Sequence, residues 1–288
     1  MKTIRFILAI IALLVYSTRS FAQLSQMLAF SKKCINWRLE KASSGVMERN
    51  YYNDDCIDYT LVRNADALYP LHPGKNTVAR LTPSDQFSDP WRMSGQNIMI
   101  YPGRFVNFEK LKPIVYAMPV VNGKNVKCRA MDVNLRMKDD SVKVKAFFFR
   151  MNPGDTVCAA RSGVVCQDVP NNNLYIYHED GTFAVYNNVV KSVKHTDRIV
   201  AGQLIGTIAE GKKAIRLLLL GMERKNLVVK ERVQFPYTCL TPVFRTSEGD
   251  RCIDEETRLT AKTDSELITQ ELTSKEKKKQ THPSVPSR

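Results

Sequence analysis

Histidine is scarce in this sequence. Four histidines occur in 288 residues, and no two of them are close in the chain: His72, His178, His195 and His282. A catalytic zinc site needs three protein ligands and an open position for water, and imidazole is a common ligand as well as the usual proton carrier. Such widely spaced histidines argue against a histidine-rich metal centre.

Several other motifs are missing. No C-x-x-C is present, so neither a thioredoxin-type site nor a zinc ribbon is indicated. There is no glycine-rich phosphate loop, and the "SSG" at Ser43–Gly45 and the "RSG" at Arg161–Gly163 lack the pattern around a nucleophilic serine. Without zinc-finger spacing or basic segments interleaved with aromatics, nucleic acid is not an expected partner.

Long apolar runs are absent after the N-terminus. The run Phe6–Tyr16 follows Lys2 and Arg5, and small residues precede Gln23. This pattern predicts a secretory signal peptide over residues 1–22, cleaved before Gln23. An uncleaved anchor is the alternative. After cleavage, no transmembrane segment is expected, and the protein is predicted to be exported, either periplasmic or secreted.

Acidic residues are outnumbered, with a net charge of +14. For an exported protein, the anionic partners in reach are wall peptides, acidic polysaccharides and lipid headgroups. Part of the excess lies in Ser274–Gln280, which reads as a solvated tail rather than a binding site.

Seven cysteines follow the predicted signal: Cys34, Cys56, Cys128, Cys158, Cys166, Cys239 and Cys252. In an oxidising compartment some should pair, and closeness in sequence favours Cys34–Cys56, Cys158–Cys166 and Cys239–Cys252. Spacing alone leaves the connectivity open, and one cysteine stays unpaired.

The sequence divides into segments that differ in composition and in predicted structure. A helix is predicted over Leu24–Arg49, within an N-terminal extension of uncertain fold at 23–112 whose later part, from about residue 50, is irregular. Residues 113–230 read as a β domain, 231–260 as a C-terminal extension and 261–288 as a disordered polar tail.

Residues from Pro113 onwards carry strand signals. Val142 and Val144 alternate with Lys143 and Lys145, which predicts a strand with one buried face. Asp180-Gly181 predicts a tight hairpin. The run "IRLLLLGM" predicts a buried strand. Turn signals every eight to twelve residues predict a mainly β fold, an antiparallel sandwich or open barrel.

Four phrases in order resemble a known family. They are Phe149–Val165, Asn172–Val189, Asp197–Gly211 and the apolar strand ending at Gly221–Glu223. Together they resemble the LytM/lysostaphin-type zinc metallopeptidases, which cleave peptidoglycan cross-bridges. The resemblance implies a LytM domain of the duplicated hybrid motif type.

The zinc ligands of that family are not present at the matching positions. The ligand His and Asp of its "HxGxD" fall on Val144 and Phe148. The His of "YxHL", which in the family helps with protons and the oxyanion, falls on Asn188. Its "HxH" falls within Ile215–Gly221, around Arg216 and Leu218, where there is no histidine. His178 matches the His of "HxDGT", which the resemblance implies is not a ligand. These five replacement positions are the expected lining of a degenerate groove.

A different alignment keeps half a site. "CRAMD" has the spacing of "HxGxD", with Cys128 and Asp132 as possible zinc ligands. It requires an insertion of about sixteen residues relative to the family pattern, and it lacks a third ligand. The other interpretation is a strand with Cys128 buried and Asp132 facing solvent.

The resemblance without its ligands predicts a protein with no catalytic residues and no cofactor. It would be an exported envelope protein that binds peptidoglycan or an envelope protein, or that regulates a wall hydrolase. Two alternatives stay open: an atypical zinc endopeptidase using Cys128 and Asp132, and a structural envelope protein that uses the fold only as a scaffold.

Overall fold

A computed structural model describes residues 34–63, 67–81, 98–136, 141–166, 172–227 and 235–272. The protein is mainly β, as predicted. The predicted signal peptide, the first part of the predicted helix, the basic run Ser274–Gln280 and His282 lie outside the described residues. Within the described ranges, no helix is long and apolar enough to cross a membrane.

The N-terminal segment, which we define as residues 34–106, is built of strands. They are β1 (Ile35–Lys41), β2 (Met47–Asn53), β3 (Tyr59–Arg63), β4 (Ala67–Leu71), β5 (Gly74–Leu81) and β6 (Ile98–Pro102). They form two antiparallel sheets, ordered β1-β2-β5 and β4-β3-β6.

The predictions of a helix reaching Arg49 and of an irregular region beyond residue 50 are therefore wrong for the described residues. Ile35–Lys41 contains good helix formers, but each of its residues pairs with one of Met47–Asn53. Cross-strand pairing and burial override helix propensity here.

The remaining elements follow a short 3₁₀ turn at Phe108–Lys110. The strands are β7 (Val115–Ala117), β8 (Asn125–Arg136), β9 (Ser141–Arg150), β10 (Thr156–Cys158), β11 (Gly163–Val165), β12 (Asn173–Tyr177), β13 (Thr182–Asn187), β14 (Val189–Lys191), β15 (Arg198–Ile199), β16 (Leu204–Ile208), β17 (Ala214–Met222), β18 (Tyr237–Cys239), β19 (Val243–Thr246), β20 (Gly249–Cys252) and β21 (Thr257–Thr260). A second 3₁₀ turn covers Arg224–Asn226, and the helix α1 covers Ser265–Thr269.

One large sheet organises the molecule, in the order β15-β11-β12-β13-β17-β9-β8-β21, with β18 also paired to β17. Two small sheets, β10-β16-β14 and β20-β19-β7, lie beside it. The neighbours in the large sheet are antiparallel, whereas β7 and β19 are parallel. The predicted hairpin at Asp180-Gly181 and the predicted strand at "IRLLLLGM" are both confirmed.

Apolar side chains cover both faces of the large sheet. On β17, Leu218 and Leu220 pack into a cluster that includes Tyr59 and Leu61 of the N-terminal segment. The alternate residue Leu217 packs on the opposite face with residues of the small sheets. A strand buried on both faces needs a continuous apolar run, which explains the sequence of β17.

Close contact with the backbone of a neighbouring strand explains why glycine occupies positions 206 and 163. A Cβ on Gly206 would meet the carbonyl of Val190 on the paired strand, and a Cβ on Gly163 would meet the carbonyl of Tyr177. Gly163 lies in β11, where the neighbouring strand leaves no room for a side chain.

The predicted polar tail begins with an ordered portion. Leu267 of α1 is 1% exposed, and Asp264 caps the helix by accepting from the Leu267 amide. Glu271 binds the buried Arg161 at 2.6 Å, and Arg161 also binds Asp180 at 2.8 Å. Residues 261–272 are therefore part of the fold, because they close a buried ion-pair network.

Candidate functional site

The residues that the alignment predicts at the family's ligand positions lie on the large sheet. Phe148 of β9 is directly opposite Arg216 of β17. Val144 and Leu218 are an even number of residues from them on the same strands and therefore point to the same face. Val144, Phe148, Arg216 and Leu218, which the sequence comparison placed at or around the family's ligand positions, thus share one face of the sheet, which we call the sheet patch; along β9, Val144 and Phe148 are about 13 Å apart.

The sheet patch is covered. Val144 and Leu218 are each 3% exposed and belong to the apolar cluster that includes Tyr59 and Leu61 of the N-terminal segment. Phe148 packs against the same cluster, and the Arg129 guanidinium lies 5.9 Å from its ring centre. The predicted groove is therefore filled by the protein's own side chains at these residues.

Arg216 and Asn188 have structural contacts. Arg216 donates from Nε to Oδ1 of Asn187 at 2.6 Å, and burial lowers the pKa of its guanidinium. Asn188 adopts a positive φ of 71° and donates its amide to the carbonyl of Ala214 at 2.9 Å. A guanidinium repels a divalent cation, so the sheet patch does not fit zinc, and no catalytic step can be derived through a metal there.

His178 is a buried structural residue. Its Nδ1 lies 2.7 Å from the Ser162 carbonyl, which can only accept, so Nδ1 carries the proton. Burial, with a smaller contribution from Arg161, lowers the pKa of His178 to about 3. The imidazole is neutral at physiological pH, and its contacts secure the hairpin that follows β12.

Cys128 and Asp132 do not converge on one point. They lie four residues apart on β8, which places them about 13 Å apart along an extended strand. Cys128 is 2% exposed in the apolar core, and Asp132 pairs with Lys143 at 3.2 Å. The structure matches the interpretation of an ordinary strand, and the proposed half-site is not formed.

None of the seven cysteines, all of which lie in the described residues, forms a disulfide. The three predicted disulfides are therefore corrected. Cys34 donates to the Tyr59 hydroxyl at 3.1 Å, while Cys56 contacts His195. Cys239 and Cys252 are paired with different strands, β17 and β19. Closeness in sequence therefore does not bring these thiols together.

Sequence reasoning missed one cluster, which we call the interface triad: Asp55, Cys56 and His195. Its three potential ligand atoms lie within 4.8 Å of one another. Asp55 and Cys56 come from the turn after β2, and His195 comes from the turn before β15. The only signal in the sequence was the adjacent Asp-Cys pair, because 140 residues separate Asp55 from His195.

No family model matches the chain, and no curated protein matches it. Among solved structures, the chain is similar to one described as "A Novel M23 Metalloprotease Pseudoalterin from Deep-sea". The identity is 13%, the TM-score is 0.32, and the similarity covers 51% of this chain and 99% of that chain.

Proposed function

We propose that this protein is an exported, non-catalytic LytM-like protein of the bacterial cell envelope. It would act by binding peptidoglycan or an envelope protein, such as a wall hydrolase that it regulates or recruits. The proposal rests on four family-like phrases in the family's order, combined with a sheet patch that has lost the family's ligands.

The burial of the sheet patch is the observation that best supports a non-catalytic function. An active enzyme of this type presents its metal to a substrate, and the metal needs an open position for water. Here, Val144 and Leu218 are buried in an apolar cluster that also includes Tyr59 and Leu61 of the N-terminal segment. A wall peptide has no access to these positions unless that segment moves away, and neither residue could hold a metal.

The charge supports binding rather than cleavage. Of the net charge of +14, Lys2, Arg5 and Arg19 in the predicted signal peptide contribute +3; the remaining positive charge raises the local concentration of anionic polymers around the protein, independently of any catalytic group. Attraction of this kind is weakened by salt, because the Debye length falls from about 10 Å at 0.1 M to about 3 Å at 1 M.

The test uses purified protein, isolated sacculi and a zinc supplement. Released soluble muropeptides and co-sedimentation are measured in the same samples, with an active LytM-type enzyme as the positive control. We expect no release, with or without zinc, together with salt-sensitive sedimentation or capture of an envelope protein in a crosslinking pull-down. Zinc-dependent release would overturn the proposal in favour of an endopeptidase.

Matched variants separate binding from scaffolding. Val144→Ala and Leu218→Ala remove buried groups, so we expect lower stability and unchanged partner binding as long as the variants stay folded. If the protein binds neither sacculi nor any envelope protein, the structural-scaffold alternative replaces this proposal.

Export itself is tested by fractionating cells and sequencing the N-terminus of the recovered protein. We expect it outside the cytoplasm, beginning at Gln23. Recovery from the cytoplasm with Met1 or Lys2 at its N-terminus would contradict export.

A further inference from the structure

The interface triad joins the N-terminal segment to the large sheet. The Cys56 Sγ lies 3.7 Å from Nε2 of His195, and Oδ1 of Asp55 lies 2.8 Å from the same nitrogen. Asp55 has a fully buried side chain, whereas that of His195 is 33% exposed. A carboxylate, a thiol and an imidazole therefore meet at a point that solvent can reach from one side.

The geometry does not fit a nucleophilic cysteine. A Cys-His-Asp relay needs the thiol on one imidazole nitrogen and the carboxylate on the other, so that the carboxylate orients the base. Here both groups face Nε2 of His195. Three groups that converge on one point fit a bound cation better than a proton relay.

The donor set and its spacing fit zinc. Zinc binds thiolate at about 2.3 Å and imidazole at about 2.0–2.1 Å, so a tetrahedral ion places sulfur and nitrogen about 3.6 Å apart. The Cys56 to His195 distance of 3.7 Å matches this spacing. The Asp55 to His195 contact of 2.8 Å would have to open by about half an ångström to admit the ion.

The surroundings hold the ligands in place. Oδ2 of Asp55 accepts from the Tyr59 hydroxyl at 2.7 Å, and Asn53 accepts from the Asp55 amide at 3.0 Å. Oδ1 of Asp55 accepts from the Cys56 amide at 2.7 Å and also faces the imidazole. Hydrogen-bonded second partners of this kind fix ligand orientation in metal sites.

The turn that carries His195 is fixed to the large sheet. Thr196 adopts a positive φ of 73°, which is rare for a β-branched residue. Its amide donates to the Val165 carbonyl at 3.0 Å, and the Val165 amide donates to the Asp197 carbonyl at 2.9 Å. These hydrogen bonds thus hold Thr196 in a sparsely populated backbone conformation, and the neighbouring His195 side chain contacts the N-terminal segment.

We propose that Asp55, Cys56 and His195 bind one zinc ion, with the fourth position open to solvent. Binding would release the Cys56 proton to solvent and leave two anionic ligands and one neutral ligand around the cation. The ion would fasten the turn after β2 to the turn before β15. This site is separate from the sheet patch and does not depend on the proposed function.

The first experiment measures metal in the purified protein after dialysis against zinc and then against metal-free buffer. We expect one zinc per chain. The melting temperature should rise by about 5–10 °C when zinc is at about 100 times its dissociation constant. Cobalt in place of zinc should give the absorption band of a thiolate–cobalt bond. No bound zinc, or cobalt without that band, would overturn the proposal.

Variants locate the ion. Cys56→Ser and His195→Gln should each abolish stoichiometric zinc. The matched controls are Cys252→Ser, at an exposed thiol, and His72→Gln, at a His–Asp contact of 2.8 Å with Asp58. Both controls should keep the metal. Zinc that is retained in Cys56→Ser, or lost only in Cys128→Ser, would place it elsewhere and refute the assignment.

A measurement on the unmodified protein covers the case in which a variant fails to fold. Thiol alkylation is mapped by mass spectrometry with and without zinc. Zinc should protect Cys56 at least tenfold and leave Cys252 equally reactive in both samples. Equal alkylation of Cys56 in the two samples would overturn the proposal.

Discussion

Phe148 and Arg216 lie directly opposite each other on β9 and β17. By alignment, Phe148 takes the place of an acidic zinc ligand, and Arg216 lies within the segment that matches the family's paired histidines. The alignment therefore predicts a ring and a guanidinium at the place where the family binds its metal. The hydrogen bond from Arg216 to Asn187 and the packing of Phe148 make both residues part of the structure.

Restoring the family's ligands should not restore a metal site. In a variant combining Val144→His, Phe148→Asp and Leu218→His, polar groups replace packed side chains beneath the N-terminal segment. Each poorly satisfied buried group costs about 1–3 kcal/mol, so we expect a large loss of stability without stoichiometric zinc at the sheet patch. Denaturant unfolding and metal analysis in a Cys56→Ser background check this expectation. A folded variant that binds zinc and cleaves sacculi would contradict it.

Arg161 is predicted to stabilise the fold strongly. Its side chain is 3% exposed and binds both Asp180 and Glu271. Arg161→Met leaves two carboxylates without their cation, and removing one partner of a buried pair typically costs about 3–5 kcal/mol. Urea unfolding measures the loss. The control is Lys127→Met, whose partner Glu256 is half exposed, and we expect about 0–1 kcal/mol there. Equal losses in the two variants would contradict the prediction.

His178 should make the stability depend on pH. Its pKa in the folded protein is about 3, below the ordinary 6.5, so the unfolded chain binds an extra proton between those values. The contribution is fully present above pH 6.5 and declines as the pH falls, by up to about 1.4 kcal/mol per pH unit.

The control for that pH dependence is His178→Gln, which removes the titrating group. Unfolding free energies measured from pH 7 to pH 4 should fall less steeply in the variant than in the unmodified protein. Parallel curves would show that His178 is not the source of the slope.

Local patterns predicted the β domain well. Three local patterns match the structure because each depends only on residues close in sequence. They are the alternation at Val142–Lys145, the Asp180-Gly181 turn and the apolar run of β17. The β1–β2 hairpin was missed because its residues favour a helix when considered alone. Its structure depends on pairing between strands, which propensity does not include.

The site could be predicted only in part. The alignment that places Val144 and Phe148 at the family's ligand positions comes from the surrounding phrases and stays a prediction. The packing of Leu218 in one cluster with residues of the N-terminal segment could not be predicted, because it depends on contacts between residues that are distant in sequence. The interface triad was missed for the same reason, since no local motif links Asp55 to His195.

The pairing of β21 and the ion pair of Glu271 have a consequence for the order in which the chain folds. β21 pairs with Asn125–Cys128 of β8, and Glu271 binds Arg161. β8 and Arg161 are synthesised more than 100 residues before β21 and Glu271, with which they pair. During synthesis, β8 has an unpaired edge and Arg161 lacks one of its two counter-charges. The large sheet is therefore completed only when the C-terminal residues have been synthesised. A chain that stops before Thr257 keeps an open edge on β8 that is available for pairing with other molecules.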